Sequence, residues 1–426
     1  MLTEEETELL CRIGPGTPMG NLYRRFWLPA LMLAELPTPD SDPIRFRILG
    51  EDLVAIRDSN GKVAFFQNNC PHRGASLFFG RNEEAGLRCV YHGWKFDVKG
   101  NCVDMPNEPA ESNFKDKVKV TAYPGAEWGG LIWIYMGPKD KQPGLPRYPW
   151  CLHPNQAECE NRKWLQDSNY TQGIEGDLDS AHVGFLHRTF ARQNRLTGAL
   201  SPVLTVHETD FGFAYGARRP GPDGQHYWRV TTFTLPFFLA IAGGEKRGSG
   251  HWMVPMDDEH TWWFQVTAPA PAGEEPYLKP GQLTPGSGDP ALDPTLGYLP
   301  NSWRLFRNQD NDYMIDRDMQ RTVNYTGIPG NRPQDAAMTE SMGAIPDRTK
   351  EHLGTTDAAI IFWRRYMMRL ARDLERGIEL PILSRPELFE NFPLDEVRPE
   401  EEFGLVWDAH HAAYPEKLQV MLGAAR

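Results

Sequence analysis

Two hydrophobic rhythms divide the chain. From about Phe26 to Gly137 the segments IRFRI, DLVAIRD and KVAFFQN alternate apolar and polar positions or run apolar, and turn residues such as Ser59-Asn60-Gly61 break them. A period of two marks strands, and GGLIWIYMG, apolar nearly throughout, reads as a buried one. The stretch predicts a small all-β domain over 26–137. Ahead of it, Thr3 followed by Glu6 predicts a capping box opening a short helix, which makes 1–25 an N-terminal helix and arm. The Pro- and Gly-rich run GPKDKQPGLPRYPW ends the domain, so 138–150 is read as a linker and 151–426 as a second domain.

The second domain mixes both rhythms. FGFAYGARRP, YWRVTTFTLPFFLAIAG and TWWFQVTAPA predict strands of one antiparallel sheet. Residues 268–300 hold eight Pro and five Gly, too many for a regular element, and predict a long loop or an excursion over a site. Ile360, Trp363, Met367, Leu370 and Leu374 step by three and four after Thr355 and Thr356, which predicts an amphipathic helix capped by a threonine. The fold class expected is α+β.

Composition narrows the function classes. Of 426 residues, 57 are acidic and 45 basic, a formal net charge of −12 that argues against generic nucleic-acid or anionic-membrane binding. No apolar run approaches the length of a membrane span, and the opening MLTEEETELLCRIG is acidic where a signal peptide would be basic. A cytoplasmic protein is expected. There the six cysteines are thiols or metal ligands rather than a disulfide framework.

Two of those cysteines carry the first candidate chemistry. Cys70-Pro-His72-Arg-Gly and Cys89-Val-Tyr-His92-Gly-Trp each offer one thiol and one imidazole. Four such ligands could hold a structural zinc, but zinc fingers usually group two Cys on one turn and two His on another element. One Cys and one His per loop suits a Rieske 2Fe–2S cluster, in which one iron takes both thiolates and the other both imidazoles. Gly74 and Gly93 let backbone pass close to such a cluster. Cys11, Cys102, Cys151 and Cys159 lack partners at ligand spacing and are read as bystanders.

The second candidate lies in Glu175-Gly-Asp177-Leu-Asp179-Ser-Ala-His182-Val-Gly184-Phe-Leu-His187. Residues five apart do not share a helix face, so His182 and His187 converge on one ion only if the helix ends or kinks between them, where Gly184 sits. Asp179 stands three residues before His182, suited to accept the other imidazole N–H of a metal ligand. A facial triad for Fe(II) needs one carboxylate more, and Asp357, in the first turn of the C-terminal amphipathic helix, is the expected third ligand.

At these residues the chain resembles the α subunits of Rieske non-haem iron aromatic oxygenases. C-x-H, 16 residues, C-x-x-H stands at Cys70, His72, Cys89 and His92, and D-x-x-H-x-x-x-x-H at Asp179, His182 and His187. NDYMIDRDMQRTVNYTGIPG and QDAAMTESMGAIPDRTKEHLGTTDAAII are similar to the phthalate dioxygenase branch. The resemblance implies a Rieske β-domain followed by a catalytic domain with a helix-grip antiparallel sheet, a 2Fe–2S cluster and a mononuclear iron. It also implies a head-to-tail homotrimer, or a stacked pair of trimers, in which Asp179 bridges His182 to the partner subunit's His92. Neither a GxGxxG dinucleotide site nor a four-cysteine ferredoxin pattern is present, so a separate NAD(P)H-dependent reductase is the expected electron donor.

The implied reaction is dioxygenation of an aromatic carboxylate of the phthalate, halobenzoate or phenoxybenzoate type with O₂. A monooxygenase or O-demethylase of the same family is the near alternative. A Rieske electron carrier with a non-catalytic C-terminal half is the distant one. An acidic protein that binds an anion needs a local cationic pocket. Arg218, Arg219, Arg229 and Arg247 on the expected catalytic strands, with Ser180, are the candidate substrate residues.

Overall fold

The computed structural model describes residues 1–188, 196, 199–243, 248–269 and 303–423. Arg247, and the Pro/Gly-rich stretch from 270 onward, lie outside them.

The first domain is built from β1 (Trp27–Met32), β2 (Ile44–Ile48), β3 (Glu51–Arg57), β4 (Val63–Gln67), β5 (Arg81–Glu83), β6 (Gly86–Arg88), β7 (Lys95–Phe96), β8 (Cys102–Asp104), β9 (Ala122–Trp128) and β10 (Leu131–Tyr135). A six-stranded sheet runs β1-β10-β9-β4-β3-β2 and a small four-stranded one β5-β6-β7-β8. The turn at Ser59-Asn60-Gly61 closes the β3–β4 hairpin: Asp58 N–H donates to Lys62 O, and Asp58 Oδ1 accepts from Asn60 and Lys62 N–H at 2.9 and 2.8 Å. All five residues of β10 are buried. Their lack of alternation has a cause in the neighbouring domain. Trp133 of β10 meets Trp252 edge-on at 5.3 Å and stacks near Tyr148, so both faces of the strand are covered and one apolar core runs through both domains.

The small sheet has its own core of Val54, Phe66, Leu77, Leu87, Trp94, Phe96 and their neighbours, and Cys70 and Cys89 are buried in it. Two loops capped by this separate core form one end of the domain.

The second domain holds β11 (Arg162–Gln166), β12 (Val203–Thr209), β13 (Gly212–Pro220), β14 (His226–Thr234), β15 (Phe238–Ala240), β16 (Gly250–Pro255), β17 (Thr261–Val266) and β18 (Leu394–Arg398) in one sheet, ordered β11-β17-β16-β15-β14-β13-β12. Every named ladder in it is antiparallel. The run YWRVTTFTLPFFLAIAG forms two strands rather than one, because Pro236 in the turn between them cannot donate to a ladder. β15 pairs with Thr232–Thr234 of β14 and β18 with its His226–Val230 half.

Helices cover one face of this sheet. The helix Ala358–Glu375 buries Ile360, Trp363, Tyr366 and Met367; Phe362 meets Phe213 of β13 at 5.0 Å and Trp363 meets Phe233 of β14 at 6.4 Å. No threonine caps it. Gly354 opens the preceding turn Thr355–Asp357, and Asp357 Oδ2 reaches back to accept the Gly354 N–H at 2.6 Å. The helix Tyr170–Leu178 crosses β17 closely at Gly173, where a Cβ would stand 2.6 Å from Trp263 Cζ2, so no larger residue fits without moving the indole. Burial opposes the charge of Glu175, yet Arg348 and Arg364 more than offset it and hold the carboxyl below its ordinary range. Arg364, at 2.8 Å, ties this helix to the long one, and Arg348, at 2.7 Å, ties it to the turn Arg348–Lys350. Gln172 Nε2 donates to Thr339 O at 2.9 Å and Gly343 O at 2.7 Å, which docks it against the helix Asn331–Ser341. The helix Tyr170–Leu178 is thereby held along its length from two sides before it ends at Asp179.

Candidate metal sites and the catalytic cavity

The two Cys-His loops of the first domain share one geometry. Gly74 N–H donates to Cys70 O and Gly93 N–H to Cys89 O, both at 2.9 Å, while Cys70 and Cys89 N–H donate to Ala75 O and Trp94 O, both at 2.8 Å. Each turn closes through a glycine at φ +77° or +80°, a left-handed conformation that a side chain disfavours. The result brings the His72 and His92 rings to 4.4 Å between centroids, with Trp94 stacked on His72 at 4.4 Å.

The donor set fits a cluster rather than a single ion. A tetrahedral zinc would draw its four ligand atoms to within about 4 Å of one another. Among the described residues, the one group of three or more His, Cys, Asp or Glu ligands whose atoms lie within 4.8 Å of one another is elsewhere, at His182, His187 and Asp335. His72 Nδ1 is buried without a hydrogen-bond partner, as a metal-facing nitrogen would be. Burial, reinforced by the nearby Cys89 sulfur, pushes the Cys70 thiol up to about 11, so a bound cation is needed to hold it as thiolate. Desolvation, then His72 and Arg73, holds His92 below the ordinary histidine value, in the neutral form that ligates metal.

In the second domain the helix Tyr170–Leu178 ends before the histidines. Asp179 leaves it in an extended conformation, and a short 3₁₀ turn follows at His182–Gly184. The bend that brings His182 and His187 together therefore begins earlier than Gly184, and the rings come to rest 5.1 Å apart and nearly perpendicular. Gly184 serves a close approach instead: a Cβ there would lie 3.0 Å from Leu196 O and 2.6 Å from Leu200 Cδ2. Asp179 Oδ1 accepts from Ala181 N–H at 2.7 Å and His182 N–H at 3.3 Å, whereas its Oδ2 stands 3.8 Å from His182 Nδ1. It orients His182 through the backbone rather than the imidazole.

The carboxylate that joins the pair is Asp335, not Asp357. Asp335 Oδ1 is 2.8 Å from His187 Nε2 and 3.9 Å from His182 Nε2. Asp357 is turned to the Gly354 N–H, and among the described residues no group of three or more His, Cys, Asp or Glu ligand atoms close enough to share an ion contains it. Burial works to raise the Asp335 pKa, but the hydrogen bond with His187 and the charges of His187, His182 and Arg332 outweigh it and leave it lowered. Burial lowers His187, and its bond to Asp335 reverses this and leaves it raised. His182 Nδ1 is another buried nitrogen without a hydrogen-bond partner. Two imidazoles and one carboxylate on a cavity wall fit a facial-triad ion with open positions.

That cavity measures about 690 Å³ and is lined by His182, His187, Asp335, Asp179, Ser180, Tyr215, Arg229 and residues of β16 and β17, among others. Of the expected substrate residues, Arg229 and Ser180 reach it. Arg219 is buried, donating to Ser180 O at 2.8 Å and to Ala199 O at 2.9 Å, so it pins the loop that carries Ser180. Arg218 pairs with Glu401 at 2.7 Å and does not line the cavity. Sequence reasoning missed Asp335, Arg332 and His251. The available signal was a Gln334-Asp335 pair opening a helix after Pro329-Gly330, with Gln334 and Glu340 on its buried face.

Comparison with known proteins finds two families along the chain. The Rieske [2Fe-2S] domain family matches residues 26–124, and the LigXa C-terminal domain like family matches residues 134–386. The phthalate 4,5-dioxygenase oxygenase subunit of Pseudomonas putida is 39% identical over 394 residues, covering 88% of each chain. The 3-chlorobenzoate-3,4-dioxygenase oxygenase subunit of Comamonas testosteroni is 38% identical over 89% of this chain and 91% of its own. In fold, the Pseudomonas putida CBB5 NdmA structure with caffeine superposes with a TM-score of 0.58 at 18% identity, over 90% of this chain and 99% of that one. With a cluster domain, a catalytic domain and whole-length relatives all in agreement, the chain belongs to the Rieske non-haem iron oxygenases, oxygenase subunits that carry a 2Fe–2S cluster and a mononuclear iron.

Proposed function

We propose that the chain is the oxygenase component that dioxygenates an aromatic carboxylate of the phthalate, halobenzoate or phenoxybenzoate type. In this reading Cys70, His72, Cys89 and His92 hold the cluster, and His182, His187 and Asp335 hold the iron. When bound, the cluster supplies electrons singly and the iron supplies the centre at which O₂ is activated. The observation that carries the reading is the convergence of His182, His187 and Asp335 ligand atoms to within 4.8 Å on the wall of a cavity large enough for an aromatic acid. The relatives named for phthalate and 3-chlorobenzoate support the substrate class.

Each residue's task follows from its surroundings. Asp335 and His187 bind and orient the ion, and Tyr215, Ile241 and Leu196 line the cavity around the substrate ring. Electrons come from a separate reductase. The protein acts in the cytoplasm as a homotrimer or a stacked pair of trimers, with Asp179 bridging His182 to the partner subunit's His92. Asp179 Oδ2 is suited to this, since its hydrogen bonds to backbone run through Oδ1 and its side chain is 28% exposed. Exposed Phe79, Val90 and Tyr91 near the cluster loops, and Phe185, Val323 and Tyr325 near the iron site, offer the apolar rims that a subunit contact covers. Among the described residues no helix is long and apolar enough to cross a membrane, and all six cysteines are free.

Turnover under ¹⁸O₂ with a compatible reductase and a panel of phthalate, 3-chlorobenzoate and 3-phenoxybenzoate tests the reading. Two labelled oxygens in one product are expected. One labelled oxygen would replace dioxygenation by monooxygenation or O-demethylation. Electron transfer without oxidation of any aromatic by iron-replete protein would leave an electron carrier.

A further inference from the structure

Three arginines line the cavity beside the iron ligands: Arg162, Arg229 and Arg332. Arg229 is tied to Asp395 through Nη1 at 3.4 Å and to Ala242 O through Nη2 at 3.1 Å. Arg332 is held differently. Its Nη2 donates to His251 Nε2 at 2.5 Å and to Gln265 Oε1 at 3.1 Å, which engages both N–H groups of that nitrogen. A guanidinium only donates, so His251 Nε2 accepts and the ring proton sits on Nδ1. From there it is donated to Asp177 Oδ2 at 2.6 Å. His251 and Asp177 are both nearly buried, and the Trp164 ring lies 5.4 Å from the guanidinium carbon.

Asp177, His251, Gln265 and Trp164 thus fix the plane of one guanidinium. Its remaining edge is open. Among the described residues Nη1 makes no hydrogen bond, and the carboxylate nearest to it, Asp335 Oδ2, is 3.9 Å away, beyond hydrogen-bond reach. Arg332 and Asp335 stand three residues apart on the helix Asn331–Ser341 and therefore share a face. A planar, permanently charged donor with a free edge, held rigid one helical turn from an iron ligand, is built to receive a carboxylate in a set orientation.

We propose that Arg332 anchors the carboxylate of the aromatic substrate and so sets where the ring lies relative to His182, His187 and Asp335, with His251 and Asp177 as positioning residues that hold the guanidinium. The proposal rests on the aromatic-acid reading above. It differs from a general cationic pocket in naming one side chain, and in requiring His251 as hydrogen-bond acceptor.

The test uses protein loaded with cluster and iron, titrated calorimetrically with phthalate, 3-chlorobenzoate and the neutral ester dimethyl phthalate. R332Q is expected to weaken binding of both acids about thirtyfold and to change ester binding less than about threefold. R332K recovers part of the loss, and His251→Leu loses about tenfold on the acids alone because the guanidinium is freed. In turnover, KM for the acid rises more than kcat falls. Iron content and the visible spectrum, equal in all variants, separate this from misfolding. If the wild type binds the acids and R332Q binds them equally well, the anchor is refuted and the substrate class survives. If the wild type binds the neutral ester but neither acid, the substrate class falls and the anchor with it.

Discussion

Gln334 fixes the tautomer of His187. Its Nε2 donates to Ile328 O at 2.7 Å, so its Oε1 is the atom that stands 2.8 Å from His187 Nδ1 and accepts the ring proton there. With Nδ1–H committed to Gln334, Nε2 is the nitrogen that faces Asp335 and gives up its proton to ligate a metal. Replacing Gln334 by Leu removes the acceptor and leaves Nδ1–H buried without a partner. Iron affinity at the mononuclear site is expected to fall about 10- to 100-fold, while cluster absorption is unchanged. Competition with a calibrated chelator measures it. Unaltered affinity would mean that the amide only fills space.

The choice between Asp335 and Asp357 is settled by metal analysis. Asp335→Ala is expected to lower iron from about three to about two per chain, with full acid-labile sulfide retained. Asp357→Ala removes only the acceptor for the Gly354 N–H, so iron stays at about three and stability drops by about 0.5–1 kcal/mol. The reverse pattern would restore Asp357 as the ligand.

What was legible in the sequence was local. Each Cys-His loop lies within five residues, and its glycine sits where the turn demands φ near +80°. His182 and His187 are equally close in sequence. Asp335 lies 148 residues beyond His187, and its helix opening looks no different along the chain from the one at Asp357. What separates them is which helix Gln172 docks against the histidine segment, a tertiary contact without a local signature. Arg219 misled for a related reason. β13 is buried on both faces along most of its length, so alternation along the strand could not tell cavity from core, and its arginine went to Ser180 O.

The two loop glycines should differ in tolerance. Both Gly74 and Gly93 need left-handed backbone, which disfavours alanine by about 1 kcal/mol. A Cβ at Gly74 meets nothing within 4 Å, but at Gly93 it would stand 2.6 Å from Pro106 Cγ. Gly74→Ala should therefore assemble most of its cluster, and Gly93→Ala much less, as read by acid-labile sulfide per chain. Equal loss in the two would assign the requirement to backbone conformation alone.

Acid sensitivity has an identifiable source in the C-terminal helices. His410 is fully buried; its Nε2–H donates to Phe392 O at 2.7 Å and its Nδ1 accepts from Lys417 Nζ at 3.1 Å. Burial first, and then the charges of Lys417, Arg398 and His411, push its pKa down to about 3, against the backbone hydrogen bond that works to raise it. In the unfolded chain the same ring titrates near 6.5. Between these values the unfolded state binds a proton that the folded state does not, so stability rises with pH across the window and is lost as pH falls below about 6.5. This one site adds a slope of up to about 1.4 kcal/mol per pH unit. His410→Gln keeps a donor for Phe392 O and removes the titration. It should be less stable than the wild type at pH 7.5, and the gap should narrow steadily toward pH 5 in denaturant midpoints taken at each pH. A gap that stays constant over that range would place the acid sensitivity in other groups.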